Sequence, residues 1–271
     1  MAFAHHEFFP GIFHIQDGMG VCMTLLCGKE RALLVDTGYG LEDVSAYVKA
    51  LTALPVDVML THGHHDHALG VQWFDRVWML EKEFPVYFEY TKPDWRRHVL
   101  NGAREKGIQA DEEAYLNASM PIPEKLTPGE IDLGSLTVRV IACPGHTPGS
   151  AVAYVPKYGL LLTGDDWNPC TWLFFPEALC AQDYRENMRA LLRLPFGNVL
   201  CSHQFQLFHR AQIDQFMEYL TDDCLARARQ VDTGAHMGIN TAEAQLPMQQ
   251  VLVFDRDKFD RRASERTKEN E

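Results

Sequence analysis

Four histidines and an aspartate occupy the six positions His62 to His67, within Thr61-His62-Gly63-His64-His65-Asp66-His67-Ala68. Before this cluster, Val56-Asp57-Val58-Met59-Leu60 reads as a short buried strand. After it, Ala68-Leu69-Gly70-Val71 can open a helix. The cluster therefore sits on a turn at the carboxyl end of a strand, where α/β folds place ligand sites. Imidazole and carboxylate at this density suit zinc or a similar divalent ion. A merely solvated loop has no need of four histidines.

The rest of the chain alternates strands and helices around that turn. Gly11–Ile15, Val21–Cys27 and Arg31–Val35 read as strands, the last closed by Asp36-Thr37-Gly38. Val44, Tyr47, Val48 and Leu51 fall at i, i+3, i+4 and i+7, which predicts an amphipathic helix over Leu41–Leu51. Val77–Leu80 continues as a strand. Residues 81–120 read as a mostly polar helical insertion, broken at Pro85 and Pro93 and carrying Phe84, Tyr87, Phe88, Tyr90, Trp95 and Tyr115. It serves either as a lid over the site or as a packing insertion. Further strands are expected at 136–142, 151–155, 159–163 and 198–203, with helices at 183–194 and 211–227. Two last strands, 235–241 and 250–254, complete a sheet. The expected layout is one domain over 1–254 and a charged tail over 255–271, frayed unless Phe259 docks it.

Composition excludes some function classes. With 271 residues, 46% hydrophobic, the chain can bury a proper core. A net charge of -12 and a pI near 5.4 leave no basic patch beyond Arg261-Arg262, so no nucleic acid is expected. No apolar run approaches the roughly eighteen residues of a membrane span, so no membrane partner is expected either. The seven cysteines are odd in number, irregularly spaced and without a CxxC, which suits reduced thiols in the cytoplasm. Cys143 reads as a small buried residue. The first residues lack a basic stretch followed by an apolar one, so no signal peptide is expected.

Three further residues, His146, Asp165 and His203, each fall just beyond a predicted strand. Together with His62, His64, Asp66 and His67 they give seven candidate donors. One zinc takes three or four. The set suits two ions with a shared carboxylate. After Asp165 come Trp167, Trp172, Phe174 and Phe175, either walls of an apolar substrate pocket or packing residues.

The ordered set His-x-His-x-Asp-His at 62–67, Pro-Gly-His-Thr-Pro-Gly-Ser at 144–150, Gly-Asp-Asp at 164–166 and Ser-His at 202–203 resembles the metallo-β-lactamase-fold hydrolases. Asp36-Thr37-Gly38 matches the family's early turn, and the likeness covers roughly Gly11 to Tyr219. The resemblance implies an α/β fold of the αββα sandwich type, two mixed sheets flanked by helices. It implies a first metal on His62, His64 and His146, a second on Asp66, His67 and His203, and Asp165 between them. A hydroxide bridging the ions is then the nucleophile, with Asp66 orienting it as the catalytic side chain. Two divalent ions are expected, zinc first, with iron or manganese also suited. His65 stands at a variable position of the pattern, outside the ligand set.

What stands where narrows the branch. The commonest zinc β-lactamases lack a histidine at the position of His67 and have cysteine where Asp165 stands. The di-iron oxygen-reducing relatives have glutamate where His64 stands. What remains looks like the glyoxalase II, lactonase and phosphodiesterase set. The expected activity is hydrolysis of an ester, thioester or lactone of a small molecule, with Trp167, Trp172 and Phe174 as substrate-binding residues. The alternatives are a phosphodiesterase or nuclease of the same fold and a mononuclear-iron persulfide dioxygenase. The oligomeric state, a homo-oligomer included, stays open.

Overall fold

A computed structural model describes residues 3–234 and 238–269. A mixed seven-stranded sheet runs in chain order through Ala4–Phe9, Ile12–Gln16, Cys22–Cys27, Ala32–Val35, Val56–Met59, Trp78–Leu80 and Glu124–Leu126. Its first strands pair antiparallel and its last ones parallel, from Ala32–Val35 onward. A second sheet has six strands in the order Phe208–His209, Asn198–Leu200, Leu160–Leu162, Ala151–Val155, Thr137–Ala142, Gly129–Asp132.

Both sheets are covered on two faces, so their central strands are apolar throughout. The period of two decides which face each residue serves. Leu33 and Val35 point into the core between the sheets, against Val140, Ala153, Leu160 and Leu162. Ala32 and Leu34 point outward, against Val44 and Val48 of the helix Val44–Leu51. On the second sheet, Val152, Tyr154 and Leu161 face outward, against Tyr184, Met188, Ile213 and Phe216 of the helices Ala181–Leu191 and Arg210–Tyr219. The sandwich with helices outside is therefore present.

A third sheet of four strands departs from the expected two: Cys170–Leu173, Gln250–Asp255, Thr241–Leu246 and Arg229–Gln230. Its Ala242, Ala244, Leu252 and Phe254 share the outer core of the second sheet. The strand expected at 235–241 falls partly on 235–237, outside the described residues; the observed strand begins at Thr241. The expected helix 211–227 is two helices. The Thr221 hydroxyl accepts from the Cys224 N–H and starts the second, Asp222–Ala226. Within the described residues the tail is the helix Arg256–Glu269, and Phe259 docks it, buried against Phe254 with ring centroids 5.7 Å apart. Polar edge strands such as Ala4–Phe9 carry no apolar alternation, so sequence pattern passes over them.

The insertion forms the helices Phe84–Tyr90, Pro93–Glu105 and Glu112–Asn117. Buried Arg96 ties them by donating to the carbonyls of Thr91, Tyr115, Leu116 and Ala118. No helix among the described residues is long and apolar enough to cross a membrane.

Candidate metal centre

All seven predicted donors converge where strands of the two large sheets end. His62, His64 and His146 bring one nitrogen each to a common space, and Asp66, His67, Asp165 and His203 bring one carboxylate oxygen or ring nitrogen each beside them; within each set the atoms lie within 4.8 Å of one another. Asp165 links the sets. Its Oδ2 lies 2.9 Å from His203 Nε2, 3.5 Å from His67 Nε2 and 3.7 Å from His146 Nε2. Asp66 Oδ2 lies 3.6 Å from His67 Nε2 and 3.5 Å from His203 Nε2.

The turn packs tightly enough to require glycine. A Cβ on Gly63 would meet the Tyr87 backbone nitrogen at 2.4 Å. Its neighbours on either side, His62 and His64, are thereby held against the insertion.

The outward nitrogens of four histidines are committed, and this settles which nitrogen carries the proton. His67 Nδ1 donates to Asp36 Oδ2 at 3.0 Å. His146 Nδ1 donates to the Trp172 carbonyl at 2.7 Å, and His64 Nε2 donates to Glu177 Oε1 at 2.6 Å. The Thr61 hydroxyl gives its one proton to Asp36, so it accepts from His62 Nδ1 at 3.0 Å. In the neutral rings the inner nitrogens, His62 Nε2, His64 Nδ1, His67 Nε2 and His146 Nε2, are then bare.

His64 Nδ1 and His146 Nε2 lie 2.9 Å apart. Two lone pairs at that distance repel unless a cation lies between them. Burial lowers the pKa of His146 to about 4 and that of His62 well below its usual value, which keeps these two rings neutral. His62 Nε2, His67 Nε2 and Asp165 Oδ1 are buried without a hydrogen-bond partner, which is costly unless something else satisfies them. In the second set burial works against charge, yet Asp165 raises the pKa of His203 and of His67. Burial opposes charge on Asp165 as well, but His203 and His67 hold its carboxyl well below the carboxylate range. The donor set, the bare nitrogens and the orphaned atoms all fit divalent ions.

Aromatic rings close over the first set. Tyr90 stands 4.5 Å and Phe175 4.7 Å from the His64 ring, centroid to centroid, and Phe175 is 5.5 Å from that of His146. His65 belongs to neither set; it stacks on Trp95 at 4.9 Å and meets the Tyr39 ring edge-on.

The rings expected as a substrate wall lie at different depths. Trp167 is fully buried in the outer core, its indole N–H donating to Gln250 Oε1 at 3.1 Å and its ring edge-on to Phe208. The turn after Asp165 places its side chain in the outer core. Phe174 is buried as well, stacked on Phe175. Trp172 is 40% exposed, and its backbone rather than its ring meets His146. Phe175 is the ring of that segment that touches the donor histidines. Cys143 is buried against Met188, as expected of a packing residue.

Three residues that sequence reasoning did not assign support the site: Asp36, Glu83 and Glu177. Asp36 lies in a turn that the sequence did mark, and adopts φ +64° there. Its carboxylate takes the Thr61 N–H and hydroxyl as well as His67. The two glutamates have no local signal.

Comparison with known proteins agrees with this architecture. The chain is similar to the probable metallo-hydrolase YqgX of Bacillus subtilis, 27% identical over 141 residues, 52% of this chain and 63% of that protein. It is similar to the acyl-coenzyme A thioesterase MBLAC2 of Gallus gallus, 27% identical over 215 residues, 71% of this chain and 76% of that protein. It is also similar to the hydroxyacylglutathione hydrolase of Rhodobacter capsulatus, 29% identical over 153 residues, 55% of this chain and 48% of that protein. Among solved structures, the metallo-beta-lactamase from Pontibacter korlensis superposes with a TM-score of 0.59 at 18% identity, over 80% of this chain and 98% of that one. Fold, donor chemistry and relatives together define a metal-dependent hydrolase. The family model of the metallo-beta-lactamase superfamily matches residues 17–203, and the chain belongs to that superfamily.

Proposed function

We propose that this chain is a binuclear hydrolase, with zinc as the working metal, that cleaves thioesters of small acyl compounds. The observation that carries the metal centre is the pair of bare nitrogens, His64 Nδ1 and His146 Nε2, 2.9 Å apart. His62, His64 and His146 would hold one ion, Asp66, His67 and His203 the other, with Asp165 shared. Bound divalent ions supply Lewis acidity, lowering the pKa of a water to about 7 and taking up charge on a carbonyl oxygen.

The protein's own groups do the rest. Asp66 is the carboxylate of the site with 14% of its side chain exposed, placed to accept a hydrogen bond from the attacking water. Phe175 and Tyr90 exclude bulk water over His64 and offer apolar surface to an acyl group. The thioester preference over ester and lactone is supported by the names of two similar proteins, an acyl-coenzyme A thioesterase and a hydroxyacylglutathione hydrolase. All seven cysteines are free, which supports a reducing, cytoplasmic setting.

The test is a panel of thioesters, esters, lactones and phosphodiesters on metal-loaded protein. The proposal expects kcat/KM for a thioester to exceed the others by about tenfold or more. A preference for phosphodiesters, or oxygen consumption by an iron-loaded form, would overturn it.

A further inference from the structure

Glu177 lies on the loop between the strand Cys170–Leu173 and the helix Ala181–Leu191. Its Oε1 accepts from His64 Nε2 at 2.6 Å, on the side of the ring opposite the donor space. Glu177 is therefore no ligand itself. It is the acceptor that keeps the proton on Nε2 and leaves Nδ1 bare.

The same loop is gripped from behind. Lys258, on the C-terminal helix Arg256–Glu269, donates to the carbonyls of Phe175 at 3.0 Å, Pro176 at 2.8 Å and Ala178 at 2.7 Å. An ammonium has three protons, and all three go to the residues that flank Glu177. The helix is itself anchored, with Phe259 buried against Phe254 and the Phe259 carbonyl accepting from Gln182 Nε2 at 3.0 Å. A continuous path of contacts thus runs from the C-terminal helix through one loop to a candidate ligand. Phe175, the ring that covers His64 and His146, rides on that loop too.

We propose that Glu177 is a positioning residue for His64, and that the C-terminal helix sets it through Lys258. The inference rests on the metal-centre reading given above. Without Glu177, the His64 ring is free to rotate and to place its proton on Nδ1, the nitrogen required for the metal. Loss of such an outer partner costs about 10- to 100-fold in metal affinity. The charged C-terminal segment is then part of the site rather than an appendage.

The test uses the full chain with Zn²⁺ affinity measured against a chromophoric chelator, the visible spectrum of the Co²⁺ form, and Tm of the metal-free protein. E177A should bind one of two ions about tenfold or more weakly, with an altered cobalt spectrum and an unchanged metal-free Tm. E177Q should keep most of the affinity, because its amide oxygen accepts the same bond. K258M should weaken binding in the same direction and add little on the E177A background. Wild-type affinity and cobalt spectrum in E177A would overturn the inference. So would losses in K258M and E177A that simply add, or an affinity loss that follows a fall in metal-free Tm without rescue in E177Q. If the wild-type chain binds no metal, the metal-centre reading itself fails and takes this inference with it. If it binds two ions and E177A does so equally well, only this inference fails.

Discussion

Glu83 Oε2 accepts a hydrogen bond from the Gly149 backbone N–H at 2.8 Å, tying the start of the insertion to the loop that carries His146. Its other oxygen accepts from Gly63, between His62 and His64, at 3.0 Å, while Thr147 donates its hydroxyl to Oε2 at 2.8 Å. Glu83 is 0% exposed, so one buried carboxyl sets the spacing of both loops of the first donor set. E83A strands two buried N–H groups and should cost about 3–5 kcal/mol of stability. Urea unfolding of the metal-free protein measures this. A loss under about 1 kcal/mol would show that the loops hold their register without it.

Asp165 stands within reach of donors of both sets. D165A should therefore lose at least one equivalent of metal and most activity while the fold persists. Metal analysis and circular dichroism on the same sample check it. Full metal occupancy with near wild-type turnover would remove Asp165 from the shared position.

The seven donors were legible because such residue types clustered at strand ends have few other uses. The alternation of strands and helices was legible in apolar runs such as Ala32–Val35 and in the period of Val44–Leu51, whereas the sandwich itself came from the resemblance of the ordered motifs. The supports were not. Glu83 and Glu177 are single acids in polar stretches, and nothing nearby in sequence separates them from solvated acids. Glu83 reaches Gly63 and Gly149 across 20 and 66 positions, and Glu177 reaches His64 across 113. Trp167 misled for a related reason: closeness in sequence to Asp165 fixes its backbone, while the inward turn sends the ring to Gln250. Phe259 was marked as the residue that could dock the C-terminal segment, but the helix around it was missed because its other residues are charged or small and show no apolar period.

Trp167 and Phe175 should separate packing from binding. W167A empties a fully buried site and should cost about 3–5 kcal/mol, leaving kinetics of the folded fraction unchanged. F175A should keep its metal and lower kcat/KM by about 1–2 kcal/mol of transition-state stabilisation. Kinetics, metal content and Tm on both variants decide. Unchanged kinetics in F175A would remove it from the substrate wall.

His14 predicts a pH effect. It is buried between Thr24 Oγ1 at 3.0 Å and the Gln204 carbonyl at 3.2 Å, and burial lowers its pKa to about 4. The unfolded chain takes up this proton near pH 6.5 and the folded one does not. Its share of stability is complete above pH 6.5 and is lost as pH falls from there toward about 4. That share is about 3 kcal/mol. The wild-type and H14Q stability curves should therefore converge on acidification over that window. Parallel curves would contradict the assignment.

The most direct measurement of the central claim is metal stoichiometry. Metal-free protein is dialysed to equilibrium against Zn²⁺, and metal per chain is read by mass spectrometry alongside thioester turnover. The two donor sets predict saturation at two ions per chain, with H64A and H203A each stopping near one and losing most turnover. Saturation of the wild-type chain at one ion or none, or full turnover in a variant that binds a single ion, would contradict a binuclear centre.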